Sequence, residues 1–178
     1  MIIIPGWLIS ILTFPGVIVH EAAHMLFCRL RKVAILDVCF FRVGNPAGYV
    51  VHEQVDDFTT AFLIDVGPFF VNSFLCVLFC FPAYVPVRVF DRGDPLSFFL
   101  IWLGVSIGMH AFPSTQDATN LWHQSSKALR GFNPLALIGF PLVVLIYVAN
   151  VLSIIWFDAI YGFTLGLGLP ELVLNVVL

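Results

Sequence analysis

The sequence predicts an α-helical integral membrane protein with four to five transmembrane helices and a small β-hairpin inserted between the first and second. Three observations carry this. Of the 178 residues, 60% are hydrophobic and only 11% charged, and the mean hydropathy is +1.00, far outside the range of a soluble domain. Several apolar stretches reach the roughly 20 residues needed to cross about 30 Å of hydrocarbon. One interval between them has strand and turn composition instead. No polar stretch is long enough to fold separately, so residues 1–178 are expected to form a single membrane-embedded domain.

The first expected span covers Met1 to Leu30. It has no basic segment ahead of its apolar run and carries the most polar chemistry of the chain, so it is read as a retained span, not a cleaved leader. The interval 33–55 follows. Val33 to Val43 and Tyr49 to Val55 are rich in β-branched and aromatic residues, and Gly44-Asn45-Pro46-Ala47-Gly48 between them is dense in turn formers, which predicts the hairpin. Open strand edges are not tolerated against lipid, so the hairpin belongs at the interface or against the helices. Further spans are expected over 59–84, 96–112 and 134–157. The tail, 159–178, reads either as a fifth span or as a re-entrant or interfacial segment, because Gly162, Gly166, Gly168, Pro170 and Glu171 interrupt it.

Orientation follows from the eight Lys and Arg residues. Arg29, Arg31, Lys32 and Arg42 follow the first span, and Lys127 and Arg130 follow the third; only Arg88 and Arg92 lie between the second and third. Cytoplasmic loops collect such residues, so the N-terminus is expected outside, and the ends of the first and third spans on the cytoplasmic side. No basic run or interleaving of basic and aromatic residues offers a nucleic-acid surface. The four cysteines lack metal-binding spacing, and Cys76 and Cys80 fall one helical turn apart inside a span, as buried apolar thiols would.

The chemistry begins at His20-Glu21-Ala22-Ala23-His24. On a helix the two histidines share a face and can hold one metal ion, while Glu21 stands beside it to take a proton from an activated water. For a chain of this composition the motif arises by chance about 0.002 times. The competing reading, three side chains hydrogen-bonded within a bundle, would place three ionisable groups in a span at a cost of several kcal/mol.

A catalytic zinc takes a third protein ligand and leaves a position open. Asp117 is the leading candidate, since the charge distribution places it at the depth of His24. Ser114-x-x-Asp117 also has the spacing of a helix capping box, a role that needs no metal. His110 is the alternative ligand, or a residue that orients a ligand or hydrogen-bonds substrate. His52-Glu53 in the hairpin and His123 are weaker options. Asp65, inside the second span, is expected to pair with another polar group or to face a water-lined surface.

In order along the chain, His20-Glu21-x-x-His24, Gly67-Pro68-x-x-x-Asn72 and His110-x-x-Pro113-x-x-x-Asp117 resemble the motifs of the site-2 protease family of intramembrane zinc metalloproteases. The strand-rich interval falls where that family carries a small β-structure. The likeness covers about Phe14 to Leu121. It departs from the family where Gln116 and Ala118 flank Asp117 in place of the usual Leu and Gly, where His110 replaces an Asn, and where Asn72 falls one residue late. Without an accessory domain, the chain looks like a minimal, divergent relative, similar to the zincin-like membrane peptidases.

The resemblance implies Zn2+ held by His20, His24 and Asp117, with Glu21 as general base for hydrolysis of peptide bonds. It implies Asn72, His110 or His52 as residues that orient the ligands from behind or hydrogen-bond substrate, and a membrane protein or peptide as substrate within the lipid bilayer. The hairpin edge offers a place for an unwound substrate segment to add as a strand. Two other classes stay open: a zinc-binding membrane protein without hydrolysis, such as a carrier, sensor or inactive regulator, and a zinc hydrolase acting on lipid. The sequence sets neither the substrate's identity nor the oligomeric state.

Overall fold

A computed structural model describes residues 6–177. The opening of the expected first span, residues 1–5, and the final residue of the tail lie outside it. The described chain runs α1 (Gly6–Leu12), α2 (Phe14–Leu30), β1 (Ile35–Cys39), β2 (Tyr49–His52), α3 (Phe58–Arg88), α4 (Pro95–Met109), α5 (Thr115–Arg130) and α6 (Pro134–Leu152). A 3-10 turn, Ser153–Ile155, leads to α7 (Phe157–Phe163), a π-helical segment (Thr164–Gly168) and α8 (Leu169–Val177).

The first expected span is not one helix. α1 and α2 meet at 87° across Thr13. Pro15 lies in the first turn of α2, where its missing N–H leaves no helical bond unmade, whereas a helix continued from α1 would drive its ring into the preceding turn. Trp102 Nε1 donates to the Leu12 carbonyl at 3.2 Å, tying the end of α1 to α4. α2 alone has 17 residues, about 25 Å. It ends where Lys32 turns into the left-handed region at φ 58°.

The expected hairpin forms, with Val38 opposite Val50 and Cys39 opposite Tyr49 in an antiparallel pair. Tyr49 Oη donates to Asp37 at 3.0 Å across the strands. Arg42 lies over the Tyr49 ring and donates to the Pro46 carbonyl at 2.9 Å, which closes the connecting loop. Gly48 packs directly on α2: a Cβ there would stand 2.7 Å from Glu21 Cγ. The hairpin therefore covers the His-Glu-x-x-His helix.

α3 is longer than the expected 59–84, at 31 residues, and begins where the Asp57 side chain accepts from Thr60 N and Oγ1. α4 is shorter than the expected 96–112. Its 15 residues span about 22 Å, less than the hydrocarbon thickness, because the chain leaves the helix after Met109. The tail, in contrast, is continuous: Phe157–Val177 runs 21 residues. Among the described residues, three helices are thus long and apolar enough to cross a membrane, namely Phe58–Arg88, Pro134–Leu152 and Phe157–Val177, with the bent α1–α2 pair as a fourth if it counts as one span.

Two clusters make the core. Val66, Leu121, Val143 and Ile146 join α3, α5 and α6, and Cys76, Cys80 and Val105 join α3 to α4. Among the described residues the cysteines are free thiols, and Cys28, Cys76 and Cys80 are buried as small apolar side chains. Outward-facing positions carry large apolar groups instead, among them Phe70, Phe74, Leu137, Ile138 and Leu172. α6 does not end beside Arg88 at the C-terminal end of α3. It folds back along α5, and Asn150 Nδ2 donates to the Pro113 carbonyl at 3.1 Å. From there α7 and α8 run along α3 and α4 to the Arg88 end, where Glu171 accepts from Tyr84 at 2.8 Å and pairs with Arg88 at 3.1 Å.

Candidate metal centre

One helical turn separates His20 from His24 on α2, and both rings are buried, at 7% and 6% exposure. Each is anchored through Nδ1. His20 Nδ1 donates to the His110 carbonyl at 2.7 Å, and His24 Nδ1 to the Ile64 carbonyl at 3.0 Å. Carbonyls only accept, so these bonds fix the protons on Nδ1 and turn both Nε2 atoms inward. The two Nε2 atoms lie 3.1 Å apart.

The anchoring carbonyls exist because two helices are interrupted or crowded here. α4 ends at Met109, and the freed His110 carbonyl accepts both from His20 and from Asn72 Nδ2, the latter at 2.9 Å. Asn72 also donates to the Ile107 carbonyl at 3.1 Å. It is fully buried and lies behind His20, away from the cavity, so its amide orients the histidine's acceptor instead of reaching substrate. Gly16 permits the approach of α2 to α4 that this requires: a Cβ there would lie 2.1 Å from the Ser106 carbonyl oxygen and 2.6 Å from the His110 ring.

His110 contributes its backbone, not its ring, to this cluster. Thr13 Oγ1 spends its one proton on the Ile9 carbonyl at 2.8 Å, so the His110 Nε2–H donates to Thr13, also at 2.8 Å. The ring is held against Thr13 at the α1–α2 break and is not among the converging ligand atoms, while His110 also lines the cavity beside the centre. His52 lines the cavity beside the centre, with Nδ1 donating to the Glu53 carbonyl at 2.7 Å, and is not among the converging ligand atoms. Asp65 and His123 line an adjoining polar cavity of about 490 Å³ with Gln116 and Asn120, which accounts for an acidic side chain within α3.

Asp117 joins the histidines from α5. Its Oδ2 lies 3.5 Å from His24 Nε2, and one nitrogen of each histidine and one carboxylate oxygen all fall within 4.8 Å of one another. The same carboxylate closes the capping box: Asp117 accepts from Ser114 Oγ at 2.6 Å and from Ser114 N at 3.1 Å, and Ser114 Oγ accepts from Asp117 N. Cap and cluster are therefore compatible, because the cap holds the carboxylate still at the helix N-terminus. Burial alone would raise the Asp117 pKa, but with a second proton on His24, at Nε2, the hydrogen bonds from His24 and Ser114 outweigh it and hold the carboxyl below the usual carboxylate range.

The donor set fits a zinc ion. Bonds of roughly 2.0–2.1 Å at tetrahedral angles put neighbouring ligand atoms about 3.3 Å apart; two of the three separations, 3.1 and 3.5 Å, bracket that value, and the third lies within 4.8 Å. Two inward imidazole nitrogens and a carboxylate all present lone pairs to one point. A proton satisfies them one or two at a time; a divalent ion satisfies all three.

Glu21 is buried at 8% exposure and has no hydrogen-bond partner among the described residues. It lines a cavity of about 910 Å³ with His24, Asp117, Ser114, β2 and the α6–α7 connection. The carboxylate is thus held beside the three ligand atoms with its lone pairs uncommitted. Comparisons of the chain with protein-family models, curated proteins and solved structures give no match.

Proposed function

We propose that this chain is a zinc-dependent integral membrane metalloprotease, which hydrolyses peptide bonds of membrane-associated substrates at a centre formed by His20, His24 and Asp117, with Glu21 as general base. The observation that carries the reading is the convergence of the two Nε2 atoms and the Asp117 carboxylate within 4.8 Å, beside an uncommitted buried Glu21 in a cavity large enough for a peptide segment. A site built only to bind metal has no use for that fourth group.

The membrane placement is supported by the long apolar helices and by the large apolar side chains on the outer faces, which water would not tolerate at this density. Six of the eight Lys and Arg residues lie in the last turn of α2, after α2 or after α4, so we place that end of the molecule, and the zinc centre with it, towards the cytoplasm and the N-terminal end of α2 towards the outside.

Zinc, when bound, supplies Lewis acidity, polarising a carbonyl and bringing the pKa of water near 7. His20 and His24 hold it through Nε2, their tautomers fixed by the His110 and Ile64 carbonyls. Asp117 closes the set with a carboxylate already ordered by Ser114. Glu21 takes the proton of the attacking water on its carboxylate and returns it to the leaving amine. Its burial keeps competing solvent protons away. β2 pairs only with β1 among the described residues, so its other edge is free, and Tyr49 to His52 line the cavity. An unwound substrate segment added along that edge would have its amides held extended for attack.

The test is metal content and hydrolysis measured together on protein purified in detergent. Wild type should carry stoichiometric zinc and cleave membrane peptides until chelator is added. Glu21→Gln should retain zinc while cleavage falls by about 10²–10⁴. Absence of metal under zinc-replete conditions would sink the proposal, and chelator-sensitive turnover of lipid but not peptide would replace it with a lipid hydrolase.

A further inference from the structure

The cavity beside the zinc centre contains a carboxylate that the proposed chemistry does not use. Asp158, in the first turn of α7, lines the same space as Glu21, His24 and Asp117. Its Oδ1 is buried and has no hydrogen-bond partner among the described residues. Two polar neighbours in the same stretch of the lining are committed elsewhere: Asn150 Nδ2 donates to the Pro113 carbonyl at 3.1 Å, and Ser153 Oγ to the Asn150 carbonyl at 2.8 Å.

Among the described residues no Lys or Arg is paired with it either. The cavity lining contains Glu21, Asp117 and Asp158 and no Lys or Arg. Arg31 is bound to Thr60 and Asp57, Arg88 to Glu171, Lys127 to Asp56, and Arg42 to the Pro46 carbonyl. With Glu21 and Asp117 assigned to the metal centre, Asp158 remains as a half-buried negative group on the wall of a substrate-sized space, with one oxygen buried and unpartnered. A carboxylate with a buried, unpartnered oxygen is poorly solvated, and a cation brought by a ligand offsets that loss of solvation.

We propose that Asp158 is a substrate-binding residue which receives a cationic group of the bound peptide, either a lysine or arginine side chain or a free amino terminus. This rests on the peptide-hydrolase reading of the adjoining centre and adds to it a charge preference. It makes the cavity selective for apolar segments that carry one positive charge near the bond to be cut. The two sources of the cation differ in consequence: a side chain implies internal cleavage, an amino terminus implies trimming from the end.

The experiment reads binding, not turnover. Three apolar peptides carrying a fluorophore at the C-terminus are titrated in detergent into the zinc-loaded Glu21→Gln protein and followed by anisotropy. The first has an acetylated N-terminus and one lysine, the second an acetylated N-terminus with norleucine in its place, and the third norleucine with a free N-terminus. One of the charged peptides should bind at least about tenfold more tightly than the neutral one, and which one identifies the source. Adding Asp158→Asn should bring the ratio to within about twofold, whereas Asp158→Glu should preserve it. Equal affinities for all three peptides would overturn the proposal, as would a preference that survives Asp158→Asn. If Asp158→Asn does not fold, the comparison of peptides without that substitution, together with Asp158→Glu, still decides. A charge preference in binding combined with no cleavage of any peptide by wild type would remove the hydrolytic reading and leave this one standing.

Discussion

At the scale of residues, each of the three candidate ligands has two partners. Asp117 is bonded by Ser114 on one side and faces His24 on the other. The two contributions separate by mutation. Ser114→Ala removes half of the cap, and we expect a loss of about 1 kcal/mol of stability with zinc stoichiometry unchanged. Asp117→Ala removes cap and ligand together, so the same thermal unfolding and metal analyses should show both losses. If zinc binds Asp117→Ala at wild-type affinity, Asp117 leaves the ligand set. Asn72 acts one step further out, through the His110 carbonyl that orients His20. Its replacement by Ala should weaken zinc binding by roughly 10–100-fold, measured by competition with a chelator, without removing any ligand. His20, Glu21 and His24 were legible from spacing alone. The backbone role of His110 was not, because a sequence motif reports a side chain and says nothing of where its carbonyl points.

At the scale of elements, the hairpin and α2 depend on one glycine. Gly48 lets the start of β2 lie against the Glu21 side chain, with room for no further carbon. Gly48→Ala should therefore displace Glu21 and slow cleavage by an order of magnitude or more, while zinc content stays at wild-type level. Loss of zinc in that variant would show that the hairpin supports the ligands instead of the base. The existence of the hairpin followed from its turn-forming centre and β-branched flanks, but its seat on Glu21 is a tertiary fact. The helix lengths were less legible. Apolar composition continues past Met109, yet α4 stops there because the His110 carbonyl is engaged by Asn72 and His20 in place of a continuing helix. Pro15 was visible in the sequence, but only the contact of Trp102 with Leu12 shows α1 held across the bundle.

Over the whole molecule, the centre joins α2, the end of α4 through His110, and the start of α5. A zinc ion binding His20, His24 and Asp117 would link α2 to α5 across the cavity, and the free energy of binding would add to that of folding. At a free zinc concentration near 1,000 times the dissociation constant the gain is about 4 kcal/mol. Removal of metal by chelator should lower the unfolding temperature accordingly, and zinc should restore it. An unfolding temperature indifferent to both would mean that no metal links these helices. The path of the chain from α5 to α8 bears on this architecture as well. α6 is apolar enough to cross a membrane alone, but it packs back along α5 and returns to Pro113, and α7 and α8 make the run to the Arg88 end.

What the sequence determined by itself was whatever depends on short-range periodicity and composition: an apolar helical chain, a hairpin after the first motif, and two histidines and a glutamate on one face of a helix. Those features follow from 3.6- and 2-residue repeats and from turn chemistry, which are local. The tertiary structure alone decided which carbonyls hold the imidazoles, that the Asp117 cap also faces His24, that Asn72 and His110 serve from behind, and that Asp158 enters the cavity from a distant helix. Each of these joins residues separated by tens of positions, and their meeting depends on how closely helices approach at Gly16 and where α4 ends, neither of which leaves a pattern in the sequence.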